Sequence, residues 1–289
     1  MIKLIKGING YKLIKINKII LSKKKLIFRL YFLENIRQLK FGILILVIIN
    51  ILSIISPKQI KSKIFTFNYE ITLKIQGIGN QTILAGDIDT PSKIYIDNQN
   101  INGTKKINLA SSPTIIKIIW DFAPTTCKQM FLSLTNILEA DFSDFDSSKV
   151  VDMEEMFKGC SALTSINLSK MKTSLVTKMN QMFLGCTSLK ELDLSSFDTS
   201  SVTEMCEMFS NCMILETLNV SNFNTTSVID MSHLFSGCNK LKSLDLSSFN
   251  TSSASIVEMF KNCNSLTSLN LSNFDTSNNI NFANFFENC

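Results

Sequence analysis

Six cysteines recur at nearly constant spacing through the carboxyl-terminal part of this 289-residue chain. Successive members lie 26, 26, 26, 25 and 26 residues apart, at Cys160, Cys186, Cys212, Cys238, Cys263 and Cys289. Repetition at a fixed period of this length is typical of a solenoid, whose units bury their apolar faces only by stacking on one another. The period therefore predicts a stack of similar coils rather than a globular domain.

Each repeat combines two apolar patterns of different period. A stripe spaced i, i+3, i+4 and i+7 predicts a short helix, or a turn or two of helix-like structure, and one copy consists of Met205, Met208, Phe209 and Cys212. After each cysteine, apolar and polar residues alternate, as at Leu192 and Leu194, which predicts a strand with one buried face. The predicted fold class is α/β, with about six strand-plus-short-helix units.

The first repeat lacks the cysteine but keeps the register. Met130 and Phe131 precede Leu134 as Met156 and Phe157 precede Cys160, and Leu134 stands 26 residues before that cysteine. The repeats therefore begin near residue 123.

The shared text of the repeats reads L-x-x-L-x-L-S-x-F-x-T-S-x-V-x-x-M-x-x-M-F-x-x-C. Over residues 123–289 this text resembles the BspA-like leucine-rich-repeat surface proteins. The resemblance implies a leucine-rich-repeat solenoid exposed at a surface and associated with attachment and recognition. It supplies no catalytic residues.

The cysteine and phenylalanine positions predict a core ladder, because a slot that accepts Leu134 in one repeat is apolar in character. The ladder comprises Cys160, Cys186, Cys212, Cys238, Cys263, Phe157, Phe183, Phe209, Phe235 and Phe260. Disulfide bridges between adjacent repeats are the alternative, since export would permit them. Cys127 is expected in the core, and Cys206 is expected to be a free thiol or an intermolecular bridge.

Charge divides the chain into unequal parts. Residues 1–63 contain 14 Lys or Arg against one Glu, whereas residues 123–289 contain 10 Lys against 18 Asp or Glu. The repeats are therefore acidic, which argues against a nucleic-acid partner.

The segment 41–56 is an uncharged apolar run preceded by basic residues and followed by Pro57. Its length is marginal for a membrane span, and its basic flank predicts that everything after Pro57 is exported. The alternatives are an uncleaved signal anchor, a cleaved signal that yields a secreted protein, and a buried core helix. The preferred interpretation is a cell-surface protein with a single membrane pass and a carboxyl-terminal ectodomain.

Four segments are therefore predicted. They are a basic cytosolic leader (1–40), a transmembrane signal anchor or signal core (41–56), a β-rich capping module (57–122) and the repeats (123–289, last unit incomplete). The capping module is predicted from the period-two alternation around Tyr69 to Ile75 and from later β-prone runs. Its expected role is to cover the core edge of the first repeat.

The last repeat stops at Cys289, before the strand that should follow. A longer natural product is favoured, with stacking by another chain or fraying of the last turn as alternatives. An uncovered end would also permit self-association.

The sequence contains no recognised enzyme or metal-binding motif. The chain has one histidine, His233, and neither a P-loop nor a G-x-G-x-x-G motif. The acids Asp141, Asp144, Asp146 and Asp152 lack EF-hand spacing and are better explained as solvated turn residues. The sequence predicts no catalysis, no metal and no cofactor.

The outer face of the strands carries two polar rows. One alternates acid and amide without exception, at Asp141, Asn167, Asp193, Asn219, Asp245 and Asn270. The other is serine throughout and includes Ser195, Ser221 and Ser247. Amides between acids relieve repulsion between neighbouring strands. The rows are interpreted either as an ordinary solvated sheet surface or as a docking strip for an extracellular protein or glycan; a self-associating surface coat is the rival function.

Overall fold

The computed structural model describes residues 69–97, 99–101, 104–275, 277 and 283–289, and its regular structure there is β throughout. The predicted leader (1–40) and apolar segment (41–56) lie outside these residues. Within the described part of the chain, no helix is long and apolar enough to span a membrane.

Twelve strands are formed in the described residues. In chain order they are β1 (Tyr69–Ile75), β2 (Gly79–Thr82), β3 (Lys93–Ile96), β4 (Gln99–Asn100), β5 (Lys106–Leu109), β6 (Thr114–Trp120), β7 (Ile137–Asp141), β8 (Ser165–Asn167), β9 (Glu191–Asp193), β10 (Thr217–Asn219), β11 (Ser243–Asp245) and β12 (Ser268–Asn270).

A six-stranded sheet joins the amino-terminal strands to the first two repeats, in the order β4-β3-β6-β1-β7-β8. β1 pairs antiparallel with β6 on one side and with β7 on the other. Alternate residues of β1 are buried, as a period of two requires. The sheet crosses residue 123, where the predicted capping module meets the repeats.

The repeats stack as coils that are connected by parallel β-bridges. Each coil is named from the bridge residue at which it begins: coil 1 (126–151), coil 2 (152–177), coil 3 (178–203), coil 4 (204–229), coil 5 (230–254) and coil 6 (255–277), with 283–289 continuing into a seventh. The strands β7 to β12 lie in coils 1 to 6. In each coil, the residues of the strand form the strand side. The residues from the bridge to the periodic cysteine form the turn side.

The predicted short helix is wrong, because the turn side contains consecutive β-turns. In coil 2 the Met156 N–H donates to the Met153 carbonyl (3.3 Å) and the Cys160 N–H to the Phe157 carbonyl (3.0 Å). The third residues of these two turns, Glu155 and Gly159, have φ of 55° and 73°, as a type II turn requires.

Alternate backbone N–H groups of the turn side donate to the next coil. The Glu155 N–H donates to the Asn180 carbonyl (2.9 Å) and the Phe157 N–H to the Met182 carbonyl (2.8 Å). A helix would direct these groups to carbonyls four residues earlier in the same segment. The stripe i, i+3, i+4, i+7 is nevertheless buried, since three- and four-residue turns return side chains to the core at the same spacing.

Aromatic and hydroxyl ladders fill the interior. Rings of successive coils stack nearly parallel, with Phe209 5.6 Å from Phe235 and 6.0 Å from Phe183 between centroids. At the corner after each of β7 to β11 a buried hydroxyl links adjacent coils: Thr199 Oγ1 donates to the Asn224 carbonyl (2.9 Å) and accepts from the Asn224 N–H (2.8 Å). These contacts hold the strand side in place.

Candidate binding surface

The outward residues of the short strands form a continuous polar face. In each of β8 to β12 the central residue turns inward and the flanking two turn out, because strand side chains alternate. The ten outward residues, all exposed, are Ser165, Asn167, Glu191, Asp193, Thr217, Asn219, Ser243, Asp245, Ser268 and Asn270. This surface, named the strand face, carries carboxylates, amides and hydroxyls but no Lys or Arg.

Five members of the predicted acid and amide row lie on this face, and the sixth, Asp141, lies half-buried beside it in β7. Asn167 Nδ2 donates to Asp141 Oδ1 at 2.9 Å. The Asn219 and Asn270 amides lie close enough to Asp193 and Asp245 to lower the pKa of each carboxyl. Each acid therefore has an amide neighbour on the following coil.

The predicted serine row belongs to the turns that close each strand. The backbone N–H groups of Ser195 and Ser247 donate to Asp193 and Asp245 Oδ1, both at 2.9 Å. The Ser221 hydroxyl donates to Asn219 Oδ1 at 2.9 Å. These are Asx-turns, so serine is present in the row at least in part because it suits the turn.

The carboxylates of the strand face are stabilised in their ionised form. The backbone N–H of Ser195 lowers the pKa of the Asp193 carboxyl, and the Ser195 hydroxyl and the Asn219 amide lower it further. The pKa of Asp245 is lowered in the same way, first by the Ser247 N–H. Both groups are therefore anions at neutral pH.

An open groove of about 520 Å³ runs along the strand face. Its walls and floor are formed by Ser165, Ile166, Glu191, Leu192, Asp193, Thr217, Leu218, Asn219 and Ser243, from coils 2 to 5. Polar side chains stand beside an aliphatic floor, which suits an extended ligand with both apolar and charged groups.

The strands of this face are hydrogen-bonded in twos, which was not predicted. β7 pairs with β8, β9 with β10 and β11 with β12, all parallel. Among the described strands, β8 is not hydrogen-bonded to β9, nor β10 to β11. Each acid and its neighbouring amide lie on two strands that are paired with each other. The alternation of Asp and Asn could therefore have predicted that the strands pair in twos.

A second alternating row on the turn side pairs the same coils. Its members have positive φ and are Gln129, Glu155, Gln181, Glu207, His233 and Glu258. Gln129 Nε2 donates to Glu155 (2.6 Å), Gln181 Nε2 to Glu207 (3.1 Å), and His233 Nδ1 lies 3.4 Å from Glu258. The single histidine, His233, thus occupies a position that two other coils fill with glutamine. In this row the amide precedes the acid along the chain, whereas on the strand side the acid comes first.

The core-ladder residues named above all lie buried on the turn side. The thiols of the five ladder cysteines donate to phenylalanine carbonyls, as from Cys212 Sγ to Phe183 at 3.2 Å. Burial raises the pKa of Cys212 to about 12. All eight cysteines are among the described residues and are free, so the alternative of bridges between adjacent coils is not realised. Cys206 is half-buried, and burial raises its pKa to about 11.

No group of three or more His, Cys, Asp or Glu that could hold a metal ion occurs in the part of the chain that the structure describes. The strand face therefore stands as a surface of hydrogen-bonding and anionic groups. Such a surface can bind and orient a ligand.

Comparison with known proteins finds one family model, described as "Mycoplasma protein of unknown function, DUF285", which matches residues 125–218 and 189–289. Among solved structures, the chain is similar to a leucine-rich repeat protein from Bacteroides ovatus ATCC 8483, with 22% identity and a TM-score of 0.33. That match covers 56% of this chain and 43% of the other. No curated protein matches.

Proposed function

The chain belongs to the DUF285 family, and from this premise we propose that it is a cell-surface leucine-rich-repeat solenoid that acts by non-catalytic binding. The strand face would recognise an extracellular protein or glycan in adhesion or recognition. The family description gives no function, so the proposal depends on the geometry of the repeats.

The observation that carries the proposal is the unneutralised charge of the strand face. On the turn side, lysine neutralises two acids of the row: Lys158 pairs with Glu155, and Lys261 with Glu258 at 3.0 Å. None of the described ion pairs involves Asp141, Asp193 or Asp245. The amides between these aspartates relieve their repulsion, and a row of acids without lysine counter-ions suits a partner that supplies the cations.

The location at the cell surface is proposed from the sequence. The apolar segment 41–56, with a basic flank before it, would act as a signal anchor and place the repeats outside the cell. Cleavage of the same segment would instead give a secreted protein. Protease protection of a carboxy-terminally tagged full-length chain in sealed microsomes distinguishes these outcomes, and digestion of the tag would contradict both.

A second candidate function is a structural coat component that self-associates. The observation that favours it is the Phe286 ring, which is 49% exposed although it stacks on Phe260 with centroids 5.5 Å apart. A second copy could cover this ring. The Phe286→Ser variant would then reduce self-association in analytical ultracentrifugation and leave ligand binding unchanged.

Binding by the strand face is tested with charge reversal. The full-length chain in uncharged detergent would be applied to an array of purified extracellular-matrix proteins and glycans, as wild type and as Asp193→Lys with Asp245→Lys. The control is Asp198→Lys, at an exposed acid of coil 3 that lies outside the strand face. We expect the double variant to lose array binding and the control to keep it; unchanged binding of the double variant would contradict the proposal.

A further inference from the structure

The aspartates of the acid and amide row recur on every second coil. Asp141, Asp193 and Asp245 lie in coils 1, 3 and 5, and the intervening coils carry Asn167 and Asn219. Parallel bridges on the turn side join each coil to the next, and strands joined in this way lie about 4.8 Å apart, so coils two apart repeat at about 9.6 Å along the stack. The face therefore presents negative charge at regular intervals along the axis of the stack.

Few extended ligands repeat a side chain at this interval on one side. A β-strand presents every second residue at about 6.6 Å, and an α-helix presents each turn at about 5.4 Å. A polyproline II helix has three residues per turn and a rise of about 3.1 Å, so every third side chain returns after about 9.3 Å. This last spacing is close to the repeat of two coils.

We propose that the strand face binds a basic peptide in the polyproline II conformation, with Lys or Arg at every third position, lying along the stack axis. The inference depends on the proposed binding function and names its ligand class. The cations meet Asp141, Asp193 and Asp245, which have no lysine partner among the described ion pairs and are the charges that a ligand can neutralise.

The groups between the carboxylates can bind the backbone carbonyls and the proline rings of such a peptide. A polyproline II backbone has no internal hydrogen bonds, so its carbonyls need external donors. Asn219 and Thr217 line the groove and supply amide and hydroxyl donors. The aliphatic floor at Ile166 and Leu218, both half-buried, would contact proline rings.

The hydrogen bonds within each pair also favour this arrangement. Both bonds that reach Asp141 within the described residues end on Oδ1, one from Asn167 and one from the Ser143 N–H. The second oxygen of the carboxylate can then accept from a lysine or arginine of the ligand. The pairing thus orients each carboxylate without neutralising it.

Two proline-rich nonapeptides of identical composition test the proposal. One has three lysines, each separated by two prolines, and the other has its three lysines in succession. Binding of each labelled peptide to the full-length chain in uncharged detergent is measured by fluorescence anisotropy at low ionic strength, where surface charges are least screened. We expect the spaced peptide to bind about fivefold more tightly, since exposed ion pairs contribute about 0.2–1 kcal/mol each and the clustered peptide forms fewer of them.

A matched pair of variants locates the site. Asp193→Asn leaves the side chain the same size and removes one carboxylate; it should weaken the spaced peptide about threefold and reduce its advantage over the clustered one. Asp198→Asn removes an exposed acid of the same coil that also caps a turn, through the Ser200 N–H at 3.0 Å, and should change neither affinity.

The outcomes separate this inference from the function on which it depends. Equal binding of both peptides, weakened by Asp193→Asn, would overturn the periodic match and leave strand-face binding intact. If neither peptide binds but the double charge reversal abolishes array binding, the ligand is not a basic peptide of this class. That result would favour a glycan. If the spaced peptide binds and neither variant weakens it, the peptide does not bind at the strand face.

Discussion

The two sides of each coil are held together in different ways. On the turn side every coil is bonded to the next: Gln181 N–H donates to the Cys206 carbonyl (2.9 Å), Glu207 N–H to Ser232 (3.0 Å) and His233 N–H to Val257 (2.8 Å). On the strand side only alternate neighbours are paired. The continuity of the stack therefore depends on the turn side and the interior, and the strand side is free to vary in its polar residues.

The difference has a physical origin in what each side buries. The turn side contributes large apolar groups, such as Phe209 and Met208, that are fully enclosed. The strand side contributes one inward residue per short strand, such as Leu218, and exposes the two beside it. Since burial of apolar area supplies most of the stability, substitutions on the two sides should differ greatly in cost.

The largest expected effect is loss of an aromatic ring on the turn side. Phe209→Ala should lower the free energy of unfolding by about 3–5 kcal/mol, because it removes a fully buried ring that stacks on both neighbours. Thr217→Ala on the exposed strand face should change it by less than about 0.5 kcal/mol. Urea denaturation of both variants measures the contrast, and similar values for the two would show that the sides do not differ as proposed.

The next effect is at the corner between the two sides. Thr199→Val keeps the shape of this fully buried side chain but removes the hydroxyl that bonds to the Asn224 N–H and carbonyl, at a cost of about 1–3 kcal/mol. Thr203→Val, the same change at an exposed hydroxyl 3.3 Å from the Thr177 carbonyl, serves as the control. A cost at Thr199 no greater than at Thr203 would mean that the hydroxyl ladder does not hold adjacent coils together.

A smaller effect is expected from the backbone of the turn side. Gly185 has φ of 73°, and a Cβ there would approach nothing nearer than the Gly159 backbone at 3.8 Å. Gly185→Ala should therefore cost about 1 kcal/mol from conformation alone. Gly185→Asn should cost less, because Asn211 and Asn262 have positive φ at the same position of other coils. Equal costs by thermal denaturation would contradict this explanation.

The smallest effect is on the strand face and depends on pH. The pKa of Asp193 is lowered in the folded protein, so its ionised form contributes stability above its unfolded pKa, near 3.8, and that contribution is lost as pH falls through the folded pKa. Asp193→Asn should cost less than about 0.5 kcal/mol at neutral pH, since the group is exposed. The difference between variant and wild type should shrink below about pH 4 in urea titrations; a difference that persists at pH 2 would point to a cause other than ionisation.

Much of the fold could be predicted from particular residues. The cysteine period gave the coil length, and the alternation around Leu192 gave the strand β9 and its inward residue. The strand predicted from the alternation around Tyr69 to Ile75 is present as β1. These predictions succeeded because burial and alternation are properties of the side chains themselves.

The turn side could not be predicted in the same way. A helix and a run of consecutive turns both produce the spacing of Met153, Met156, Phe157 and Cys160. Nothing in the sequence indicates the positive φ of Glu155, because glutamate usually favours helices. The choice is made by the neighbouring coil, whose carbonyls accept the N–H groups that a helix would have used internally.

The candidate site divides in the same manner. Alternation of Asp and Asn was evident in the sequence and was interpreted as relief of repulsion between strands. Only the stacked coils show that each acid lies beside the amide of the following coil. Only they show that β8 and β9 are not hydrogen-bonded to each other. The turn-side row from Gln129 to Glu258 was missed because its residues differ from repeat to repeat.

The repeat length, the residues that face the interior and the polar character of the strand face can all be read from the amino-acid sequence. Stacking of the coils sets the backbone conformation of the turn side, the pairing of strands in twos and the joining of β1 to β7 in one sheet. Burial follows from the hydrophobicity of each side chain, whereas a hydrogen bond needs a partner. In this chain many of those partners lie about 25 residues away, on the next coil.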